Sequence, residues 1–101
     1  MQTTALAGLE ANAGEAAAYL KLLANEHRLL VLCHLAEKGE MSVNDLAETI
    51  DLSQSALSQH LAKLRDDGLV AFRREAQTLH YRVTDQRALR ILKSLKLIFC
   101  P

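Results

Sequence analysis

The 101-residue sequence has few aromatic residues and no long apolar run. It contains no tryptophan, two tyrosines, two phenylalanines and one proline, although 50% of its residues are hydrophobic. No run of about 18 apolar residues occurs, which argues against a membrane-spanning helix. The composition is typical of a compact helical protein rich in leucine and alanine, and the length predicts one domain over residues 1–101.

The first residues of the chain lack the features of a secretory signal. Residues 1–15 contain no basic side chain and no long apolar core, so we expect a protein of the cytoplasm. Residues 1–11 also show no strong hydrophobic periodicity. We therefore expect this stretch to be frayed rather than part of a regular helix.

Charge cancels over the whole chain but is unevenly distributed. The net charge is zero, whereas residues 1–51 carry three basic and eight acidic side chains, a net charge of −5. Residues 52–101 carry nine basic and four acidic side chains, a net charge of +5. Such asymmetry favours a polyanionic partner, such as nucleic acid, for the second half.

Residues 52–67 combine a helix signal with an unusually small, polar face. Ser53 is a suitable N-cap, because its hydroxyl can accept a hydrogen bond from an amide of the first turn. On a helical wheel, Leu57, Leu61 and Leu64 form an apolar stripe. The opposite face holds Ser55, Ser58, Gln59, Ala62 and Asp66. Such a face can hydrogen-bond the edges of DNA bases, and the alternative is an ordinary exposed helix rich in serine and glutamine.

The preceding residues, 41–50, predict a second, shorter helix. Ser42 and Asp45 have the spacing of a capping box, in which the aspartate replaces the usual glutamate or glutamine. Only Asp51 and Leu52 separate this helix from the next N-cap. Two helices joined by so short a turn, the second with a polar outer face, predict a helix-turn-helix.

Two further helices are predicted before the helix-turn-helix. The first begins near Asn12 and has an apolar face that suits either a core position or packing on a second subunit. The second covers residues 25–39, is apolar around much of its circumference and is expected to be the central core element. We interpret its histidines, His27 and His34, as ordinary helix residues, because neither has a second ligand at metal spacing. The apolar face of the first helix comprises Ala16, Tyr19, Leu20 and Leu23.

After the second helix of the predicted helix-turn-helix, the hydrophobic period changes from that of a helix to that of a strand. Residues 69–74 and 79–83 predict two strands around residues 75–78. The hairpin carries basic and polar side chains that suit a wing contacting phosphates or the minor groove, namely Arg73, Arg74, Gln77 and Arg82. Thr84 is then expected to cap a last helix over residues 85–99, with apolar positions at Leu89, Leu92, Leu95 or Lys96, and Phe99.

The order of these elements resembles the ArsR/SmtB family of winged-helix repressors. The segments that carry the resemblance are NEHRLLVLCHL, LSQSALSQHLAKLRDDGLV and REAQTLHYRV, within a match from about Ala16 onward. The resemblance implies a mainly α fold with a small β-hairpin wing and a homodimer joined through the first and last helices. It also implies binding to double-stranded operator DNA with an inverted repeat until an inducer releases the protein.

The resemblance further implies base or backbone contacts for several residues of the recognition helix. These residues are Ser55, Ser58, Gln59 and His60. The helical wheel places His60 on the flank of the apolar stripe, away from the middle of the polar face. The complete predicted DNA-binding set adds Gln54, Lys63, Arg73, Arg74 and Gln77.

The ligands of metal-sensing family members are missing from the corresponding positions. The first helix of the helix-turn-helix has no Cys-x-Cys and the last helix has no histidine, so we expect neither a metal nor another cofactor. The pair of cysteines, Cys33 and Cys100, instead resembles the cysteine pair found in the metal-independent branch of the family. Members of that branch sense sulfide-derived persulfides or oxidants. The resemblance thus implies that a reactive sulfur species or an oxidant joins the two thiols through a disulfide or polysulfide. The alternative is that both cysteines are structural.

The sequence shows no sign of an enzyme. It lacks a Cys-x-x-Cys pair, a glycine-rich phosphate loop and an ordered set of catalytic serine, histidine and aspartate. We therefore predict a dimeric, thiol-switched transcriptional repressor. The alternative is a winged-helix module or anti-repressor that binds a protein, and salt-dependent binding to a palindromic duplex distinguishes the two.

Overall fold

The computed structural model describes residues 4–100, which form five α-helices and one three-stranded sheet. In chain order the elements are α1 (Thr4–Leu23), α2 (Glu26–Lys38), β1 (Met41–Ser42), α3 (Val43–Ile50), α4 (Gln54–Asp66), β2 (Val70–Glu75), β3 (Thr78–Val83) and α5 (Gln86–Phe99). The predicted class, mainly α with a hairpin wing, is confirmed. Within this described range, no helix is both long and apolar enough to cross a bilayer.

Helix α1 is longer than the sequence pattern predicts. It starts at Thr4 rather than near Asn12, and the Asn12 side chain donates a hydrogen bond to the carbonyl of Gly8 (3.1 Å) instead of capping a helix. The stretch expected to be frayed is therefore helical, apart from residues 1–3, which lie outside the described range. Alanine and leucine favour the helix even without an amphipathic period, which explains the extension.

Helix α2 passes through the centre of the core, as predicted. Val31, Leu32 and Leu35 are completely buried, and α2 contacts α3, α4, α5 and β3. The helix ends at Gly39, whose φ of 87° lies in the positive region that glycine adopts without strain. The other buried core residues are Tyr19, Leu23, Met41, Leu46, Ala47, Leu57, Leu61, Leu64, Leu69, Val70, Tyr81, Ala88 and Leu92.

Helices α3 and α4 form the predicted helix-turn-helix. The hydroxyl of Ser42 accepts a hydrogen bond from the amide of Asp45 (3.2 Å), and that of Ser53 accepts one from the amide of Ala56 (3.1 Å). Asp51 ends α3 with a φ of 61°, a left-handed conformation that aspartate tolerates better than most residues. These caps determine where each of the two helices begins.

The wing belongs to an antiparallel sheet in the order β1-β3-β2. Residues 41–42, which the sequence pattern includes in the short helix, form β1, where Met41 pairs with Tyr81, and Ser42 also caps α3 as predicted. A two-residue strand has no readable period, so the pattern could not reveal it. The hairpin loop is also shorter than predicted, because residues 76–77 alone join the strands. Ala76 has a φ of 57°, which glycine usually provides at the first central position of such turns.

Helix α5 is capped by Asp85 rather than by Thr84. The Asp85 carboxylate accepts a hydrogen bond from the amide of Arg87 (2.8 Å). Threonine and aspartate are both good capping residues, so the sequence alone did not choose between these neighbours. The guanidinium of Arg87 lies 4.3 Å from the ring centroid of Tyr19, which links the start of α5 to α1.

The apolar residues of α5 divide between the core and the surface. Ala88 and Leu92 are buried, whereas Phe99, predicted to continue the same apolar face, is 74% exposed. Leu97 is 73% exposed beside it. Apolar spacing predicts which residues share a face of the helix, but it does not distinguish a face that packs within one protomer from an exposed face.

Candidate DNA-binding surface and thiol pair

Helix α4 has an apolar inner face and a polar outer face. Leu57, Leu61 and Leu64 are fully buried, so the opposite side of the helix points away from the core. Ser55, Ser58 and Gln59 are exposed on that side, as the sequence predicts. Such short polar side chains on an open helix face can exchange hydrogen bonds with base edges.

Two other members of the predicted set on α4 already contact neighbours. The amide nitrogen of Gln54 donates to the side-chain oxygen of Asn44, which links α4 to α3. Lys63 lies 3.5 Å from Asp67, one turn further along. Both Gln54 and Lys63 remain exposed and can still reach a ligand. The sequence did not predict the role of Asn44. This residue lies in the first turn of α3, and only the fold brings it next to the start of α4.

His60 turns towards α2 instead of pointing fully outward. Its side chain is half-buried, and its ring centroid lies 5.6 Å from that of His27. Burial lowers the pKa of His60, and the charges of His27 and Arg28 lower it further. His60 therefore lies on the flank of the apolar stripe, as the helical wheel indicates, and is the least accessible member of the set on α4.

The wing residue Arg73 forms an ion pair within the protein. Its guanidinium donates three hydrogen bonds to the carboxylate of Glu40, at 2.8–3.1 Å, and Glu75 lies 3.6 Å away. The hydrogen bonding raises the pKa of Arg73 and lowers the pKa of Glu40. Sequence reasoning missed this pairing because the two residues are 33 positions apart.

Arg74 and Gln77 are exposed at the tip of the wing. Arg74 forms no ion pair with another residue among residues 4–100. Arg65 at the end of α4 lies over the ring of Phe72 on β2, 5.1 Å from its centroid, and so connects the recognition helix to the wing. The outer face of α4 and the wing tip together form the candidate DNA-binding surface, comprising Gln54, Ser55, Ser58, Gln59, Lys63, Arg74 and Gln77.

Both cysteines are free thiols that reach solvent. Cys33 lies on α2 and Cys100 directly follows α5. Neighbouring atoms nevertheless shield part of the Cys33 sulfur, and this desolvation raises the pKa of the thiol. The charge of Cys100 raises the pKa of Cys33 further, so the two thiols interact electrostatically. Their exposure is unlike that of a cysteine serving as a small core hydrophobe.

An ion pair joins α2 to α5 close to the thiols. Lys96 Nζ donates to Glu37 Oε2 at 2.8 Å. Glu37 follows Cys33 by four residues and Lys96 precedes Cys100 by four, so each charged residue lies one helical turn from a thiol. This hydrogen bond lowers the pKa of Glu37 and raises the pKa of Lys96. Sequence reasoning missed the pair, although the two matching spacings were a visible signal.

Residues 25–71, from the start of α2 into β2, match the model of bacterial regulatory proteins of the arsR family. Over 92 residues, the chain is 46% identical to the transcriptional activator HlyU of Vibrio cholerae serotype O1. This alignment covers 91% of the chain and 84% of the relative. The chain belongs to the ArsR family.

Two solved structures resemble this ArsR-family chain over most of its length. The transcriptional repressor BigR from Xylella fastidiosa has a TM-score of 0.88 and 38% identity, covering 97% of this chain and 99% of that one. Reduced HlyU from Vibrio cholerae has a TM-score of 0.85 and 45% identity, covering 93% of this chain and 98% of that one. The chain is therefore a transcriptional regulator, and the prediction that it is not an enzyme is confirmed by these relatives.

A small cavity of about 230 Å³ opens beside Cys33 of this ArsR-family chain. Its apolar wall comprises Ala36, Leu89 and Leu92, and its charged rim comprises Glu37, Lys93 and Lys96. Leu89 and Leu92 thus face α2 of the same protomer. Across residues 4–100, no three histidine, cysteine, aspartate or glutamate side chains form a group that could hold a metal ion.

A larger groove of about 660 Å³ lies between α1 and α5. Its apolar wall comprises Tyr19, Ile91 and Leu95, and two basic residues, Arg87 and Arg90, also line the groove. A cluster of exposed apolar side chains commonly marks a surface that binds another molecule. The large apolar residues of these two helices that are more than half exposed are Leu6, Leu9, Leu20, Leu97, Ile98 and Phe99.

Proposed function

We propose that this regulator is a dimeric repressor that leaves its operator when Cys33 and Cys100 are joined by a disulfide or polysulfide. The observation that carries the proposal is the pair of exposed free thiols on α2 and directly after α5, two helices that contact each other. Cytosolic disulfides, where they occur, are usually redox-sensing or catalytic. Similarity to HlyU, a relative solved in a reduced form, supports a thiol-based switch.

A persulfide can supply both the sulfur and the oxidising equivalents. One cysteine thiolate attacks the outer sulfur of a low-molecular-weight persulfide, whose inner sulfur leaves as a thiolate. The second cysteine thiolate then attacks the protein persulfide at its inner sulfur and displaces hydrosulfide, which leaves a disulfide. A further sulfur transfer before closure leaves one extra sulfur atom in the bridge. The two thiols lose two electrons in total, which the S–S bond of the persulfide accepts.

In the reduced state, α4 is proposed to enter the major groove of operator DNA. Ser55, Ser58 and Gln59 contact base edges, since their side chains form the middle of the polar face. Arg73 contacts a phosphate when it exchanges its pairing with Glu40, and His60 contributes at the edge of the helix. The DNA backbone on either side of these base contacts is contacted by Gln54, Lys63, Arg74 and Gln77.

The proposed dimer forms through α1 and α5. The exposed apolar residues of these helices, including Leu20 and Leu97, support this interface, because burying them against a second protomer removes apolar area from water. A dimer with an inverted-repeat operator requires its two recognition helices to lie about 34–36 Å apart, so that both enter the major groove on one side of the duplex.

The release of DNA is proposed to follow from a change in the position of α5 and not from a change in the stability of the fold. A bridge between Cys33 and Cys100 ties the end of α5 to α2, and α5 belongs to the proposed dimer interface. A shift of α5 changes the spacing of the recognition helices relative to the DNA repeat. Coupling between linked sites is typically about 1–3 kcal/mol, which corresponds to a loss of operator affinity of about 5–150-fold.

The test compares the parent protein with Cys33→Ser and Cys100→Ser on a palindromic duplex. All three should bind in reductant, and the parent alone should release DNA on treatment with a persulfide or, separately, peroxide. A single-cysteine variant that releases DNA as completely as the parent contradicts the two-cysteine switch. Absence of salt-dependent affinity for any duplex in all three proteins would instead favour a protein-binding module.

A further inference from the structure

We propose that the Glu37–Lys96 ion pair positions the Cys33 and Cys100 thiols for bridging, which makes Glu37 and Lys96 positioning residues of the switch. The inference rests on the proposed function and adds two residues to its mechanism. It starts from the direct contact between α2 and α5, the 2.8 Å hydrogen bond from Lys96 Nζ to Glu37 Oε2.

The ion pair and the thiol pair occupy corresponding positions on the two segments. Four residues along α2 separate Cys33 from Glu37, and four residues separate Lys96 from Cys100. Residues four apart on a helix lie on the same face, about 6 Å apart along the axis. The amide of Cys100 also donates to the carbonyl of Lys96 (2.9 Å), so the position of Cys100 follows directly from that of Lys96.

Beyond Leu92, the end of α5 has little else that holds it to α2. Leu92 is the last buried residue of the helix, eight positions before Cys100. Leu97, Ile98 and Phe99 are all more than 65% exposed, and Leu95 lines the groove on the α1 side. Within residues 4–100, the ion pair is therefore the hydrogen-bonded contact that ties the last turn of α5 to α2.

Bridging is sensitive to this tie because its geometric range is narrow. A direct disulfide needs Cα atoms about 4.4–6.8 Å apart, and a displacement of one helical residue changes the axial position by about 1.5 Å and the direction by about 100°. An ion pair that keeps the last turn against α2 raises the fraction of chains in which the thiols can meet. It therefore raises the effective concentration of one thiol at the other.

The expected effect is modest, because both Glu37 and Lys96 side chains are largely exposed. Exposed ion pairs change an equilibrium by about two- to fivefold. The equilibrium measured is the reaction of the protein dithiol with glutathione disulfide, which gives the protein disulfide and two glutathione thiols. A two- to fivefold fall in its constant corresponds to a rise in reduction potential of about 9–21 mV.

Four variants test the proposal in glutathione redox titrations of the full-length protein. Lys96→Met and Glu37→Gln should each lower the bridging constant about two- to fivefold. The exchanged variant, Glu37→Lys combined with Lys96→Glu, should recover most of the parent value. Lys93→Met is the matched control, because Lys93 lines the same cavity and forms no ion pair in the described residues.

The control separates positioning from a general effect of positive charge near the two thiols. A Lys93→Met effect as large as that of Lys96→Met would overturn the proposal, because it would assign the effect to the positive charge of the cavity rim. Parent-like constants in both Lys96→Met and Glu37→Gln would overturn it too, as would no recovery in the exchanged variant. If the parent itself forms no Cys33–Cys100 bridge, the proposed function fails, and the positioning role fails with it.

Discussion

The guanidinium of Arg73 on the wing and the carboxylate of Glu40, just before β1, are joined by three hydrogen bonds of 2.8–3.1 Å. The pair therefore presents a nearly neutral group where the sequence predicts a free cation. Arg74, its neighbour, has no such partner among residues 4–100. The two arginines should consequently contribute differently to DNA binding.

The first prediction concerns the salt dependence of this difference. Arg74→Ala should reduce the slope of log affinity against log salt by about 0.9 for one lost phosphate contact. Arg73→Ala should reduce it by less, because Glu40 already neutralises Arg73. In a Glu40→Gln background, Arg73→Ala should reduce the slope by more than it does in the parent, because Glu75, 3.6 Å from the guanidinium, is then the only carboxylate that pairs with Arg73 among residues 4–100. Equal slope changes for both arginines in the parent protein would contradict the role assigned to Glu40.

The second prediction concerns the polar face of α4. Ser55→Ala and Gln59→Ala should each weaken operator binding by about 1–3 kcal/mol, since contacts to base edges lie in this range. Binding to a scrambled duplex should change little. Gln86→Ala, which removes an exposed glutamine at the start of α5, is the matched control and should bind like the parent. Unchanged operator affinity in both α4 variants would refute the recognition surface.

The third prediction separates two apolar residues of α5. Leu92 is 4% exposed in the protomer core, so Leu92→Ala should lower the free energy of unfolding by about 2–5 kcal/mol. Leu97 is 73% exposed, so Leu97→Ala should preserve the fold. The Leu97→Ala substitution should instead raise the dimer dissociation constant about tenfold or more, because burial of the leucine side chain against the second protomer would stabilise the dimer. Sedimentation at several concentrations checks this, and an unchanged dissociation constant would place Leu97 outside the interface.

The fourth prediction follows from the raised pKa of Cys33. A raised pKa leaves less thiolate at neutral pH, so alkylation of Cys33 by iodoacetamide should reach half its maximal rate above the ordinary cysteine value of about 8.5. Burial is the larger cause and the charge of Cys100 the smaller. Cys100→Ser should therefore lower the midpoint, yet leave it above the ordinary value. A midpoint in Cys100→Ser at or below that value would show that burial is not the larger cause.

The sequence predicted most of the helix-turn-helix because its signals are local. The caps at Ser42 and Ser53 and the stripe of Leu57, Leu61 and Leu64 depend on spacings within one or two turns, and each is present in the structure. The family resemblance of the same segments was confirmed by the match over residues 25–71.

The features that the sequence did not predict depend on distant partners or on weak local signals. The short strand β1 exists because Met41 pairs with Tyr81, 40 positions away. The pairings of Arg73 with Glu40 and of Lys96 with Glu37 span 33 and 59 positions. The extension of α1 to Thr4 rests on intrinsic helix propensity, which an amphipathic period does not report.

The most direct test of the thiol switch follows bridging and DNA release in one sample. The reduced parent protein, bound to a fluorescent palindromic operator, is treated with a persulfide donor and sampled over time. At each time, mass spectrometry after thiol blocking gives the fraction of chains with a Cys33–Cys100 bridge, and anisotropy gives the fraction of DNA released. We predict that both fractions rise together and that a reductant reverses both. Complete release while the chains carry separate modifications on single thiols, or full bridging with the operator still bound, would contradict the proposed switch.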